Sequence, residues 1–170
     1  MTRLGLAALA CALLALAGCG STPARKAAKR PEPVDTSLAR IEVGDNGREI
    51  VMYALGLVDV GYQFGGKNPE AGFDCSGMVS FIYRNAINVE LKGSAADMAR
   101  RGRPVGRSQL QAGDLVFFNT MNRPFSHVGI YIGDDKFIHS PSTNGRIRIE
   151  SMKSKYFATR YEAARSFFAG

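Results

Sequence analysis

Three side chains in this sequence have the types and settings for nucleophilic catalysis: Cys75, His127 and His139. Asp74-Cys75-Ser76-Gly77 lies between a glycine-rich loop and an amphipathic segment, which places the sulfur at a helix N-terminus. Unpaired backbone N–H groups and the positive end of the helix dipole favour thiolate over thiol there. The chain has two histidines, and both fall in segments of strand character. His127 is on the polar face of an alternating run, and His139 follows across a hairpin, so antiparallel pairing brings the rings close together. A thiol, an imidazole base and a group that orients the base form a nucleophile–base–orienter set. Other readings use the same residues. A buried cysteine is often a small hydrophobe, and a strand histidine is often structural. A Cys-His-His zinc site would need a fourth ligand, and none lies at a familiar spacing.

The elements that must position these groups can be read from periodicity. Ile50, Tyr53, Ala54 and Leu57 recur at helical spacing, with Asp45 or Asn46 placed to cap the start. The glycine-rich loop is Gly61-Tyr62-Gln63-Phe64-Gly65-Gly66. A second helix opens near Cys75 with Asp74 as its N-cap and Met78, Val79, Ile82 and Ala86 on its buried side. Ser94 and Asp97 form a capping-box pattern for a short third helix. The second half reads as β. Leu115-Val116-Phe117-Phe118 is a compact apolar run, and Val128, Ile130 and Ile132 alternate with His127, Gly129 and Tyr131. Gly133-Asp134-Asp135 is a turn, with Lys136 to Ser140 as the returning strand. Arg146-Ile147-Arg148-Ile149 alternates cleanly, and a helix around Met152 to Arg160 and a strand around Ala163 to Phe168 close the domain. Helices first and strands afterwards predict an α+β fold with an antiparallel sheet.

Composition limits the function classes. The 170 residues suit one domain, and 45% hydrophobic with 22% charged residues fits neither a disordered polyelectrolyte nor a multi-span membrane protein. The +7 formal charge raises nucleic acid as a partner, but residues from Ile41 onward carry 16 basic and 13 acidic side chains, which removes the reason to invoke it. Arg100, Arg101, Arg103 and Arg107 read as a solvated basic loop, with contact to anionic glycan or carboxylates as the other reading.

Five motifs, in order, resemble the NlpC-type cell-wall peptidases, papain-like cysteine enzymes that cut peptidoglycan stem peptides. They are Tyr62 to Gly66, Gly72 to Gly77, Gly113 to Phe118, Ser126 to Gly133 and Phe137 to His139, within a match from about Ile50 to Phe168. The resemblance implies a papain-like fold, with N-terminal helices packed on a central antiparallel sheet. It implies Cys75 as nucleophile, His127 as general base and then acid, and His139 as the group orienting His127. Tyr62 matches the family's tyrosine near the oxyanion site, and Asp74 and Ser76 match positions lining the substrate cleft. Gly65, Gly66 and Gly77 are backbone requirements. No metal or organic cofactor is implied, and the partner is peptidoglycan stem peptide rather than nucleic acid, with any adaptor or regulatory protease unspecified. Relatives cut either the γ-D-glutamyl–diaminopimelate bond within a stem or the D-alanyl–diaminopimelate crosslink. Leu91-Lys92-Gly93-Ser94 departs from the family's usual Leu-Pro-Arg-Thr-like stretch, so substrate preference does not transfer from close relatives. A papain-like acyltransferase or amidase and a non-catalytic murein-binding lipoprotein are the alternatives.

The first residues read as an address. Met1-Thr2-Arg3 and the apolar run Leu4 to Ala17 suit a signal peptide, and Leu16-Ala17-Gly18-Cys19 resembles the bacterial lipobox. That resemblance implies a signal peptide over 1–18, acyl chains on Cys19 holding the protein to a membrane, a tether over 19–44 and a peptidase domain over 45–170. Gly20 after the anchor points to the periplasmic face of the outer membrane in a Gram-negative cell. Cys11 is lost with the signal peptide and Cys19 is acylated, so Cys75 remains as the free thiol.

Overall fold

The structure, a computed structural model, describes residues 45–143 and 145–168. The segment 1–18 and the tether 19–44, with the lipidation candidate Cys19, lie outside the described residues. Three helices come early: α1 (Asp45–Leu55), α2 (Cys75–Ile87) and the short α3 (Ala95–Ala99). Two two-residue strands, β1 (Lys67–Asn68) and β2 (Gly72–Phe73), pair between α1 and α2. The main sheet comprises β3 (Arg103–Val105), β4 (Leu115–Phe118), β5 (His127–Gly133), β6 (Lys136–His139), β7 (Arg148–Ser151) and β8 (Tyr161–Ser166), with α4 (Lys155–Ala158) before the last strand. Its order is β3-β8-β4-β5-β6-β7, and every pair is antiparallel. This is the expected α+β architecture.

The apolar run of β4 is buried on both faces. Leu115 and Phe117 join α1, α2 and the Val128, Ile130 and Ile132 side of β5 in the larger core cluster. Val116 and Phe118 turn the other way, onto Phe137, Met152 and Phe157. Each such fully buried side chain contributes about 1.5–3 kcal/mol, enough to fix the strand's position against weak local preferences. The Tyr83 hydroxyl pins α2 to the approach of β4 by donating to the Gly113 carbonyl at 2.5 Å. Asp134 and Asp135 both adopt positive φ in the β5–β6 turn, at 50° and 53°, the geometry of a tight hairpin turn.

Several local expectations needed correction. Tyr53 is 36% exposed, and Val51 takes its place in the core beside Ile50, Ala54 and Leu57. Asp45 and Asn46 lie inside α1 rather than before it. Ile147 and Ile149 do not share a face: Ile147 is fully buried and Ile149 is 41% exposed. The backbone of Ile147 bonds to Asp59 and Val60, and β7 begins only at Arg148, so the alternation crosses two different pairings. The helix around Met152 to Arg160 shrinks to the four residues of α4, while Met152 is buried in the smaller cluster. Of the basic loop, Arg103 enters edge strand β3, Arg100 pairs with Asp97, and Arg107 stacks on Tyr161 with its guanidinium 5.0 Å from the ring centre. The Ser94–Asp97 capping box forms as expected.

Candidate active site

The nucleophile candidate stands where three stretches of backbone converge. Asp74 caps α2: its Oδ1 accepts from the Gly77 N–H at 2.6 Å and from the Ser76 hydroxyl at 3.0 Å. Its Oδ2 accepts from the Gly65 N–H at 3.0 Å, so one carboxylate clips the glycine-rich loop to the first turn of the helix. The loop must approach closely for this. A Cβ on Gly77 would run into the Gly66 carbonyl, and one on Gly66 into the Gly72 carbonyl. Gly65 has a φ of +71°, which side chains other than glycine's rarely adopt. These three glycines are backbone requirements, as expected. The Ser140 hydroxyl, at the end of β6, donates to the Phe73 carbonyl at 2.7 Å and fixes the entry to Cys75 against the sheet.

The electrostatics of Cys75 differ from the expectation of a thiolate. Burial, and secondarily the charge of Asp74, push the thiol up to about 11. Backbone N–H groups of Val128, Ser76 and Cys75 pull the other way and do not win. The helix terminus acts as anticipated, but the desolvation cost of the anion exceeds it. The contribution of Val128 also locates the sulfur against the first residues of β5.

The two histidines meet. His127 Nε2 lies 2.7 Å from His139 Nδ1, with the ring planes at 86°. With Nε2 engaged by His139, Nδ1 is the nitrogen of His127 left for the cleft. To accept a proton there, His127 must carry its hydrogen on Nε2 and donate it to His139, whose own hydrogen then sits on Nε2. That atom is buried without a partner among the described residues. Burial holds His127 down at about 4. His139 is lowered to about 2 by burial, with His127 and Arg148 adding to the effect. His139 is therefore neutral near pH 7 and can serve as an acceptor. The enclosure is aromatic: Phe137 and Phe157 lie 4.9 and 5.3 Å from the His139 ring, and Phe118 packs near His127. Register places Phe118 opposite His127. Gly129 makes room for the Phe137 ring that packs on His139, because a Cβ there would sit 2.5 Å from that ring.

Cys75 and His127 open onto one cleft of about 580 Å³, which Tyr62, Asp74 and Ser76 also line. Tyr62 is held by its backbone N–H to the Gly145 carbonyl at 2.6 Å and by a bridge to Phe73. Its phenol is raised by burial and by the nearby Asp74 and Cys75, so it stays a hydrogen-bond donor. Asp74 lines the cleft while its oxygens are committed to loop and helix. The divergent stretch ends at the cleft as well: Gly93, at φ +95°, turns the chain so that Ser94 caps α3 and reaches the cleft wall.

Sequence reasoning passed over five contributors. Phe64 and Met121 stand 84% and 67% exposed on the cleft rim, and their exposure leaves no periodic signal. Phe157 and Tyr156 come from α4, too short to show a pattern. Gly129 breaks the bulk of an otherwise large-residue strand, and that was a readable sign.

The family model described as the NlpC/P60 family matches residues 59–166. The murein DD-endopeptidase MepH of Escherichia coli (strain K12) is 42% identical over 107 residues, covering 61% of this chain and 40% of that protein. The murein DD-endopeptidase MepS/murein LD-carboxypeptidase of the same strain is 41% identical over 106 residues, covering 62% and 55%. The chain thus spans about half the length of these relatives or less. A crystal structure of an NlpC/P60 family protein from Bacillus cereus ATCC 10987 superposes with a TM-score of 0.67 at 27% identity, covering 74% of this chain and 41% of that one.

Proposed function

The chain belongs to the NlpC/P60 family, and we propose that it is a cysteine endopeptidase that hydrolyses amide bonds in peptidoglycan stem peptides or their crosslinks. The observation that carries this reading is that a thiol at a helix start shares one cleft with His127, whose Nε2 is held 2.7 Å from His139. Resting Cys75 and His127 are both neutral. The Cys75 sulfur attacks the amide carbonyl carbon as its proton passes to His127 Nδ1, and the carbonyl electron pair moves onto oxygen. The Tyr62 hydroxyl and the Cys75 backbone N–H stabilise that oxyanion. His139 accepts the hydrogen bond of the imidazolium. The C–N bond then breaks, and the proton on His127 goes to the leaving amine. Water, deprotonated by His127, hydrolyses the thioester and restores the thiol. The names of the two E. coli relatives favour the crosslink between stems over the bond within a stem. Cys75→Ala is expected to keep the fold and abolish digestion of purified peptidoglycan, read as muropeptides by mass spectrometry. Retained digestion in that variant would sink the mechanism, and the masses released by the native chain identify the bond.

The sequence supports an anchored enzyme. Residues 1–18 are removed, Cys19 carries the acyl chains, and residues 19–44 tether the domain of 45–170 to the periplasmic face of the outer membrane. A coil of about 25 residues spans roughly 25–30 Å, and at most about 85 Å fully extended. Cys19→Ser is expected to lose palmitate labelling and to leave the membrane fraction. A variant that keeps both rejects the anchor.

A further inference from the structure

A second cavity, of about 450 Å³, lies beyond the histidine pair. It shares Thr120, His127, Ser142, Thr143 and Tyr156 with the cleft and continues past them to Arg148 and Glu150. Its position relative to the reaction follows from the chemistry. The acyl half of the scissile amide bonds to Cys75, and the leaving amine must face His127, which protonates it. A cavity walled by His127 on the side away from Cys75 is therefore placed for the residue on the amine side of the bond.

Its charged group is oriented. Arg148 Nε donates to Glu150 Oε1 at 2.9 Å, from two residues along the same strand. That contact fixes the guanidinium plane, and the terminal nitrogens have no partner among the described residues. A guanidinium held this way presents two parallel N–H groups, the geometry that binds a carboxylate in bidentate fashion. Register sets Arg148 directly opposite His139, so the fork lies beside the ring that orients the proton donor His127 and not at the distal end of the cavity. The Arg148 side chain is 41% exposed, so it reaches the cavity without a large desolvation cost.

We propose that Arg148, oriented by Glu150, recognises a free carboxylate carried by the amine-side residue of the substrate. This rests on the endopeptidase reading and assigns the specificity of its leaving-group side. It holds for either bond under consideration, because it requires only that the amine-side residue carry an ionised carboxyl group.

The test compares two crosslinked muropeptides that differ in one group, the free or the amidated carboxyl of the amine-side diaminopimelate. The native chain is expected to favour the free carboxylate by about 10- to 100-fold in kcat/KM, mostly through KM. In Arg148→Gln that ratio falls to within about 3-fold of unity. Loss of the arginine's influence on His139 changes both substrates alike, so the ratio isolates carboxylate recognition. Equal cleavage of both substrates by the native chain, or a preference that survives Arg148→Gln, overturns the proposal. Calorimetry on the full chain carrying Cys75→Ala, with the free and amidated amine-side products, reads the cavity without turnover. Selective binding of the free carboxylate there supports the proposal even if digestion fails, and equal binding rejects it. Failure of the native chain to cut either substrate counts against the endopeptidase reading itself.

Discussion

Around Cys75 the chain is held by backbone meeting backbone, whereas around His127 and His139 it is held by packed rings. The first region depends on glycines, one carboxylate cap and carbonyl contacts, with Gly66 and Gly77 leaving no room for a side chain. The second depends on Phe118, Phe137 and Phe157 and contains a histidine nitrogen without a partner among the described residues. Position is defined in the first case by hydrogen bonds, which tolerate water. Protonation state is defined in the second by the exclusion of water. In the proposed mechanism the nucleophile must be reachable by substrate, and the base must stay uncharged until it acts. The two regions therefore respond to different perturbations.

Acid separates them most strongly. His127 at about 4 and His139 at about 2 both lie below the ordinary 6.5. A histidine depressed in the folded state binds fewer protons than its unfolded counterpart. Its contribution to stability is complete above about pH 6.5 and is lost as pH falls toward the folded value. For His127 the loss between pH 6.5 and 4 is roughly 3 kcal/mol, at about 1.4 kcal/mol per unit. Thermal unfolding measured from pH 7 to pH 4 should show this decline, reduced in a His127→Gln chain. The kcat/KM profile should fall on its acid side with a midpoint near 4, where the free enzyme's base protonates. A midpoint between 6 and 7 would mean that water reaches the imidazoles and that the ring enclosure does not set their state.

The region around Cys75 should be insensitive to that change and sensitive to a single methyl group. In Gly77→Ala the new Cβ meets the Gly66 carbonyl, so the loop or the helix start must shift. Overpacking of this kind costs about 1–3 kcal/mol. The displaced loop carries Tyr62, so kcat should fall along with the melting temperature, while the acid midpoint of the pH profile stays in place. A moved midpoint with an unchanged melting temperature would show that the two regions are coupled.

The same contrast decides what the sequence made legible. The Asp74 cap, the Ser94–Asp97 box and the alternation that turns Val128, Ile130 and Ile132 into the core are local and readable from spacing alone, but the face carrying His127, expected to be polar, is buried beside Phe118. The three candidates Cys75, His127 and His139 do converge, because hairpin pairing follows from a turn signal and a two-residue period. The misses are non-local. β1 and β2 have two residues each and no period to detect. β3 reads Arg-Pro-Val and exists because β8 offers it an edge, with Arg103 opposite Ser166. Ile147 is buried by bonds to residues near 60, which its own alternation cannot report. The thiolate expectation failed for a related reason. A helix terminus can be read from sequence, but the burial that opposes it depends on what β5 brings to the sulfur.

Asp74→Asn gives the smallest effect and the finest discrimination. Asparagine caps helices about as well as aspartate, so the bonds from Gly77 and Ser76 to Oδ1 can persist. An amide nitrogen in place of Oδ2 would face the Gly65 N–H and lose that bond, costing about 1 kcal/mol. The removed charge also helps to hold the thiol up, so Cys75 should fall slightly from about 11. The fall is small because burial is the larger cause. The pH dependence of iodoacetamide alkylation measures it against the native chain. A large downward shift would show that Asp74, rather than desolvation, keeps Cys75 protonated, and the nucleophile would then be governed by a charge on the helix cap instead of by its enclosure.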